Sequence, residues 1–155
     1  MTPAIKQLTS ENITFALHQY SHEANASSYG LEVVEKLGLN AEQVYKTLVV
    51  CTDANQLAVA IVPVNKKLNL KNIAKALKTK KVKMAEAKRV VTVTGYILGG
   101  VSPLGQKKAL KTVMDSSANN FEQIYISGGR RGLEISISAN DLASLCHAIF
   151  ADISN

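Results

Sequence analysis

The sequence predicts a single α+β domain over residues 1–155, with strands in the middle of the chain and helices on either side. A length of 155 residues and a hydrophobic content of 46% suit one globular core and leave little room for two. Segments rich in valine and isoleucine alternate with amphipathic ones, and no internal repeat or flexible linker divides them.

The N-terminal segment predicts a helix followed by a strand. Thr2 and Pro3 are typical of a helix cap and a first helical position, and the helix is expected to end near Asn12. Residues 13–20 then alternate as a strand does. The residues expected on its apolar side are Ile13, Phe15 and Leu17.

Two further helices are predicted before the central strands. The first is closed by Gly38. Its apolar positions are Leu31, Val34 and Leu37. Asn40 with Gln43 resembles the capping pair of a second, short helix.

The centre of the chain predicts a buried hairpin and a lysine-rich helix. Residues 46–53 and 56–64 are rich in valine and isoleucine and are separated by a short polar turn. Asn69 is expected to cap a helix over residues 70–78. Its inward positions are Leu70, Ile73, Ala74 and Leu77, and its exposed face carries Lys71, Lys75 and Lys78.

The C-terminal half predicts a short strand at residues 96–98 and two longer ones at 123–129 and 132–138, joined by the glycine-rich turn 128–132. Residues 109–115 fit helix and strand equally well. A final helix is expected to close the chain. Its apolar residues are Leu142, Leu145, Cys146 and Ile149.

Charge is distributed unevenly along the chain. Residues 66–111 carry thirteen of the eighteen basic side chains and one acid, Glu86, so this segment is +12 and the remainder −6. A concentrated basic segment in an otherwise acidic domain favours a surface for a polyanion such as nucleic acid. The alternative is a solvated lysine-rich helix face.

The sequence also indicates the cellular compartment of the protein. No apolar run approaches the length of a membrane span, and the N-terminus lacks the basic and apolar segments of a signal peptide. Cys51 and Cys146 lie far apart without metal-binding spacing. We therefore expect a cytoplasmic protein with buried free thiols, no membrane partner and no metal.

Residues 95–108, GYILGGVSPLGQKK, resemble a nucleotide-binding phosphate loop but lack residues that such a loop requires. Gln106 and Lys107 stand where such a loop needs lysine followed by serine or threonine, and Pro103 removes a backbone donor. Two adjacent glycines can instead bring N–H groups close to a ligand oxygen, as in an oxyanion hole. An ordinary tight turn is the alternative.

Few other residues of the sequence fit a catalytic or metal-binding site. No nucleophile-elbow pattern occurs, and His18 with His22 has helical ligand spacing at the end of a predicted strand without a third ligand. His147, next to Cys146, points away from it on a helix. Lys46, at the start of a hydrophobic strand, must either extend outward or serve a pocket.

Four blocks in order, HQYSH at 18–22, YKTLVV at 45–50, GYILGGVSPLGQKK at 95–108 and YISGGRRGLEI at 125–135, resemble the YbaK family of freestanding aminoacyl-tRNA deacylases. That family is similar to the editing domain of bacterial prolyl-tRNA synthetase. The resemblance covers essentially the whole chain. It implies a mixed, partly barrel-like β-sheet flanked by helices, and hydrolysis of mischarged Cys-tRNA(Pro) without metal or cofactor.

The resemblance also implies site residues. The family's characteristic lysine falls on Lys46, followed by Thr47. Its glycine-x-x-x-proline motif falls on Gly99, Gly100, Val101, Ser102 and Pro103, and its substrate pocket includes Tyr20 and Ser127. Tyr29 stands where close relatives usually have phenylalanine, which adds a hydroxyl to the pocket.

In this family the substrate's own thiol is thought to attack the ester, so positioning and oxyanion stabilisation matter more than a protein nucleophile. We expect the N–H groups of Gly100 and Val101 to bind the oxyanion, Lys46 to bind the terminal nucleotide, and Tyr20 and Tyr29 to wall the pocket. Residues expected to contact the acceptor stem are Lys71, Lys75, Lys78, Lys107 and Lys108. The resemblance also allows a partner prolyl-tRNA synthetase. The alternatives are a deacylase for Ala-tRNA(Pro) or a broader set, and a non-catalytic module that binds tRNA or a synthetase.

Overall fold

The computed structural model describes residues 1–24 and 28–155. The α-helices in this part of the chain are Pro3–Ser10 (α1), Tyr29–Leu37 (α2), Leu70–Ala76 (α3), Ala87–Thr94 (α4) and Ala139–Cys146 (α5). The strands are Phe15–Gln19 (β1), Tyr45–Thr52 (β2), Leu57–Pro63 (β3), Val82–Met84 (β4), Lys111–Asp115 (β5), Gln123–Ser127 (β6), Leu133–Ser138 (β7) and Ile149–Ala151 (β8). Short 3-10 helices occupy Ala41–Gln43 and Ser116–Asn120.

The strands form two open sheets. The larger has the order β4-β2-β3-β5-β8, and it is mixed because β3, β5 and β8 run parallel while β2 pairs antiparallel with both β3 and β4. The smaller, β1-β7-β6, is antiparallel. A parallel bridge between Val44 and Tyr125 joins them. The predicted α+β class, with a mixed sheet flanked by helices, is confirmed.

The main core lies between the two sheets. Ile61 and Met114 of the larger sheet pack in one cluster with Ile126 and Ile135 of the smaller one, and Leu8 of α1 joins them. Every residue of β3 is buried, which is typical of a strand covered on both faces. The predicted β2–β3 hairpin is therefore confirmed as the centre of the molecule.

Local capping signals gave correct helix boundaries. The Thr2 hydroxyl accepts a hydrogen bond from the Ile5 N–H at 3.3 Å and donates to the carbonyl oxygen of Gly128, so it also ties α1 to the β6–β7 turn. Asn69 caps α3, and Gly38 closes α2 in the left-handed conformation at φ 64°. Residues 109–115, whose sequence fits helix and strand equally well, contain β5.

The predicted strand at residues 96–98 is wrong, and the predicted final helix is present but shorter than expected. Residues 96–98 are irregular and follow a helix, α4, that was not predicted; Gly95 ends this helix at φ 85°. The final helix stops at Cys146 because His147 adopts a left-handed conformation, and Ile149 begins β8 instead. In both places a local turn outweighs the apolar periodicity.

Some residues expected to face inward are exposed. Leu17 is 45% exposed because β1 is an edge strand paired only with β7. Leu31 is 48% exposed, whereas the adjacent Glu32 is buried, accepts a hydrogen bond from the Glu23 N–H and pairs with His22. Leu70 is also exposed. Among the described residues, no helix has the length and apolar character needed to cross a bilayer.

Gly105→Ala tests how α1 supports the segment after the glycine motif. Gly105 has φ 66°, and an added Cβ would overlap the backbone of Pro3. Gly38→Ala is the matched control, since Gly38 has φ 64° with open space around it. We expect a loss of about 1–2 kcal/mol for the control, from left-handed strain alone, and about 1–3 kcal/mol more for Gly105→Ala, from overlap. Urea unfolding measures both, and equal losses would contradict the close packing.

Candidate active site

A cavity of about 230 Å³ opens where the start of β2 meets α2, the segment after α4, and the smaller sheet. This volume is below the roughly 300–1,000 Å³ of pockets for drug-sized ligands, so it suits a small group. The residues lining it are Tyr20, Tyr29, Gly30, Val33, Val44, Tyr45, Lys46, Thr47, Leu48, Val64, Leu98, Gly99, Val101, Ser127 and Glu134.

Lys46 and Thr47 both line this cavity from β2. Lys46 pairs with Val62 of β3, and desolvation lowers the pKa of its ammonium. It forms no ion pair with the residues that the structure describes, where the pairs found are His22–Glu32 and Lys36–Glu23. The Thr47 Oγ1 is buried and also lacks a hydrogen-bond partner among them. A negatively charged or polar ligand in the cavity would supply a partner for the Lys46 ammonium.

The glycine–proline motif reaches the cavity with some of its residues. Gly99 and Val101 line it, whereas Gly100 does not. The Gly100 N–H donates to the carbonyl oxygen of Ile97 at 3.0 Å, so it is already engaged. Within residues 1–24 and 28–155 the Val101 N–H has no hydrogen-bond acceptor. Of the two donors expected from the sequence, Val101 is therefore the one without an acceptor in the described part of the chain.

Ser102 and Pro103 lie behind the cavity. The Ser102 side chain is fully buried and accepts a hydrogen bond from the Leu104 N–H at 3.3 Å, while Pro103 is buried beside α5. The Cys146 thiol of that helix donates to the Pro103 carbonyl oxygen at 3.5 Å, and burial raises its pKa to about 12. These residues shape the turn and do not contact a ligand in the cavity.

The turn is held from several sides. The Tyr96 hydroxyl donates to the Leu104 carbonyl oxygen at 2.6 Å, and the Gly105 N–H donates to Gln7 Oε1 of α1 at 2.7 Å. Gly99 adopts φ 86°, and an added Cβ would lie 2.6 Å from both Tyr29 and Arg131. The left-handed conformation favours glycine there, and its lack of a side chain lets Tyr29 and Arg131 close over it.

Aromatic residues and Ser127 form the walls. Tyr20 lines the cavity, and desolvation raises the pKa of its hydroxyl. Tyr29 lies at the rim, where the Arg131 guanidinium stacks 4.0 Å from its ring centroid. Arg131 also donates to the Leu98 carbonyl oxygen at 2.9 Å. The Ser127 Oγ accepts from the Gly129 N–H at 3.1 Å, so its proton remains available to a ligand.

Sequence reasoning missed Glu134. It is 5% exposed, lines the cavity from β7, and desolvation raises the pKa of its carboxyl to about 8. Residues 133–138 alternate apolar and polar, a pattern that normally places the polar side in water. The signal in the sequence was that Glu134 lies within the block YISGGRRGLEI at 125–135, as a charged residue in a predicted strand.

The predicted RNA-binding lysines do not all lie on the same surface. Lys71 and Lys75 are exposed on α3, and Lys107 lies with its side chain against Gly95. Lys78 and Lys108 line a separate cleft of about 490 Å³ at the opposite end of the β2–β3 hairpin. Arg89 and Lys111 line the same cleft. Strand geometry places it about 20 Å from Lys46.

The histidines interact with the protein. His18 Nε2 lies 2.9 Å from Ser136 Oγ, and His22 Nδ1 lies 2.7 Å from Glu32 Oε1. In the described part of the chain, His, Cys, Asp and Glu side chains form no cluster of three that could hold a metal ion.

Comparison with known proteins places this geometry in a family. The model of the aminoacyl-tRNA editing domain matches residues 23–145. A protein of Enterococcus faecalis assigned as the Cys-tRNA(Pro)/Cys-tRNA(Cys) deacylase EbsC is 33% identical over 152 residues, covering 98% of this chain and 92% of the relative.

Two solved structures have the same fold. The hypothetical protein APE2540 superposes with a TM-score of 0.87 at 24% identity, covering 99% of both chains. A structure assigned as a trans-editing enzyme for prolyl-tRNA synthetase gives a TM-score of 0.83 at 18% identity, covering 98% of this chain and 92% of the other. At these identities the structures establish the fold, and the family model with the Enterococcus relative establishes the family. The resemblance of the four sequence blocks is thereby confirmed, and the chain belongs to the aminoacyl-tRNA editing domain family.

Proposed function

We propose that this protein hydrolyses the ester bond of mischarged Cys-tRNA(Pro). The observation that carries the proposal is the cavity itself, where Lys46, Thr47 and Val101 line a space sized for a small acyl group. Membership of the editing-domain family and the assignment of the Enterococcus relative support the same substrate class.

The proposed reaction needs no nucleophile from the protein. The cysteinyl thiol attacks its own ester carbonyl, so a C–S bond forms, the bond to the ribose oxygen breaks, and the thiol proton passes to that oxygen. Water then opens the cyclic thioester and releases cysteine. Intramolecular attack reaches effective molarities of about 10⁵ M or more when the geometry is held.

Each cavity residue has a part in holding that geometry. The Val101 N–H donates to the carbonyl oxygen as negative charge develops there. Lys46 contacts the phosphate or ribose oxygens of the terminal nucleotide. Tyr20, Tyr29 and Ser127 enclose the acyl group. Gly100 contributes by lacking a side chain, because a Cβ there would lie 2.9 Å from the Arg130 backbone.

The basic cleft supports binding of the tRNA acceptor stem. Its cations, Lys78, Arg89, Lys108 and Lys111, lie about 20 Å from Lys46, a span of about six nucleotides at roughly 3.4 Å each. Exposed Lys71 and Lys75 extend the positive surface. A prolyl-tRNA synthetase could present the mischarged tRNA, and such a substrate places the reaction in the cytoplasm.

Lys46→Ala should lower kcat/KM for Cys-tRNA(Pro) about 10–100-fold, since a hydrogen bond to a charged group contributes about 1.5–3 kcal/mol. Lys6→Ala, which removes an exposed lysine of α1 away from the cavity, is the control and should retain the parent rate. The measurement is release of labelled cysteine under single-turnover conditions. Parent activity in Lys46→Ala would show that the site is misplaced.

A panel of cysteinyl, seryl and alanyl tRNA(Pro) tests the role of the substrate thiol. We expect the cysteinyl ester to react at least about 100-fold faster than the seryl ester, because the hydroxyl is much the weaker nucleophile at neutral pH. Equal rates on the seryl and cysteinyl esters would rule out thiol assistance. A faster alanyl ester would favour a protein-held water as nucleophile.

Salt dependence tests the basic cleft. The Kd for uncharged tRNA(Pro) should rise steeply with NaCl concentration, as phosphate contacts release counterions. Lys78→Gln combined with Lys108→Gln should reduce the slope of log Kd against log salt by about 2. Lys6→Gln, which removes one positive charge on α1, should leave the slope as it is. A flat salt response in the parent protein would eliminate the cleft as an RNA contact.

A further inference from the structure

Glu134 is a buried carboxyl group with no partner among the described residues. It lies in β7, between His18 of β1 and Ser127 of β6 in the strand register, and lines the cavity. Its side chain makes no hydrogen bond or ion pair with any residue that the structure describes. Glu32, another buried glutamate near the cavity, is satisfied by His22 and by the Glu23 N–H.

Leaving a carboxyl group buried and unpaired is costly. Lys46 lines the same cavity but does not relieve the cost, since the two side chains are not within ion-pair distance. The cavity therefore presents a cation and an acid separately. Such an arrangement fits a ligand that carries both a negative and a positive group.

An aminoacyl-tRNA terminus is such a ligand, with phosphates on the nucleotide and an ammonium group next to the ester carbonyl. We propose that Glu134 binds the α-ammonium group of the aminoacyl ester and thereby positions the acyl group, so that N-acylated esters are rejected. This inference rests on the proposed function and adds to it a requirement for a free amine. Peptidyl-tRNA, whose amine is blocked, would be excluded by the same contact.

Binding of the α-ammonium group by Glu134 should depend on pH, because it changes the number of bound protons. The free carboxyl, with its pKa raised to about 8, and a free α-ammonium with a pKa of about 7.7–8.0 are both protonated below about pH 7. An ammonium–carboxylate pair holds one proton fewer, so binding releases a proton and weakens as the pH falls. Other titratable groups near Glu134 are His18 on the neighbouring strand and the His22–Glu32 pair close to Tyr20 and Tyr29. The cavity itself adds Tyr20, Tyr29, Tyr45 and Lys46.

The test compares Cys-tRNA(Pro) with its N-acetyl-cysteinyl counterpart, which keeps the thiol and the ester. The parent protein should favour the free amine at least about 100-fold in kcat/KM. Glu134→Gln should reduce that preference to under about 10-fold, mainly by slowing the free-amine substrate, and Glu134→Asp should restore part of it. The ratio of parent to Glu134→Gln activity on Cys-tRNA(Pro) should fall from about pH 8 to about pH 6, because only the parent must release the proton.

Glu122→Gln, which neutralises an exposed acid just before β6, is the matched control and should retain the full preference. Thermal unfolding checks that Glu134→Gln is folded, and Glu134→Ala, which also removes the carboxyl group, serves as the test variant if it is not. Equal parent rates on the two substrates, or an unchanged preference in the folded variant, would overturn the role of Glu134 and leave the deacylase proposal standing. No hydrolysis of either substrate would instead contradict the proposed function.

Discussion

Antiparallel pairing between β2 and β3 fixes the position of the cavity. All seven residues of β3 are buried, so a shift in register would turn apolar side chains out of the core. Lys46 and Thr47 lie opposite Val62 and Ile61 at the end of this hairpin, next to the fully buried β3. A charged side chain can thus be held in a desolvated site without a partner from the described chain, because the surrounding core determines where it lies.

Contacts between segments far apart in sequence also hold the opening of the cavity in place. Gln7 holds Gly105, Thr2 holds Gly128, and Arg131 links Tyr29 to Leu98. These contacts join α1, the glycine–proline motif and the β6–β7 turn around one opening. Each involves the backbone of a turn, so these turns hold one another in place around the opening.

The parts of the fold that the sequence predicted well depend on local signals. Thr2, Gly38, Asn40 and Asn69 are caps recognisable from their neighbours, and the hairpin follows from two apolar runs with a polar turn. The errors depend on distant contacts. Nothing local shows that the Gly100 N–H bonds back to Ile97, or that the polar face of β7 turns toward a cavity instead of water. The family resemblance identified Lys46 and Thr47 as site residues, whereas the position of Glu134 in the cavity follows only from the three-dimensional fold.

Burial of Cys146 has a chemical consequence for a reaction that passes through a thioester. Thioesters exchange readily with thiolates, so an ionised cysteine near the cavity could capture the acyl group and leave the protein covalently blocked. With its pKa raised to about 12, the Cys146 thiol stays protonated at neutral pH and bonds to the Pro103 carbonyl oxygen behind the turn. Cys146 also lines a different cleft from the cavity, so its thiol does not compete with water for the acyl group of the proposed reaction.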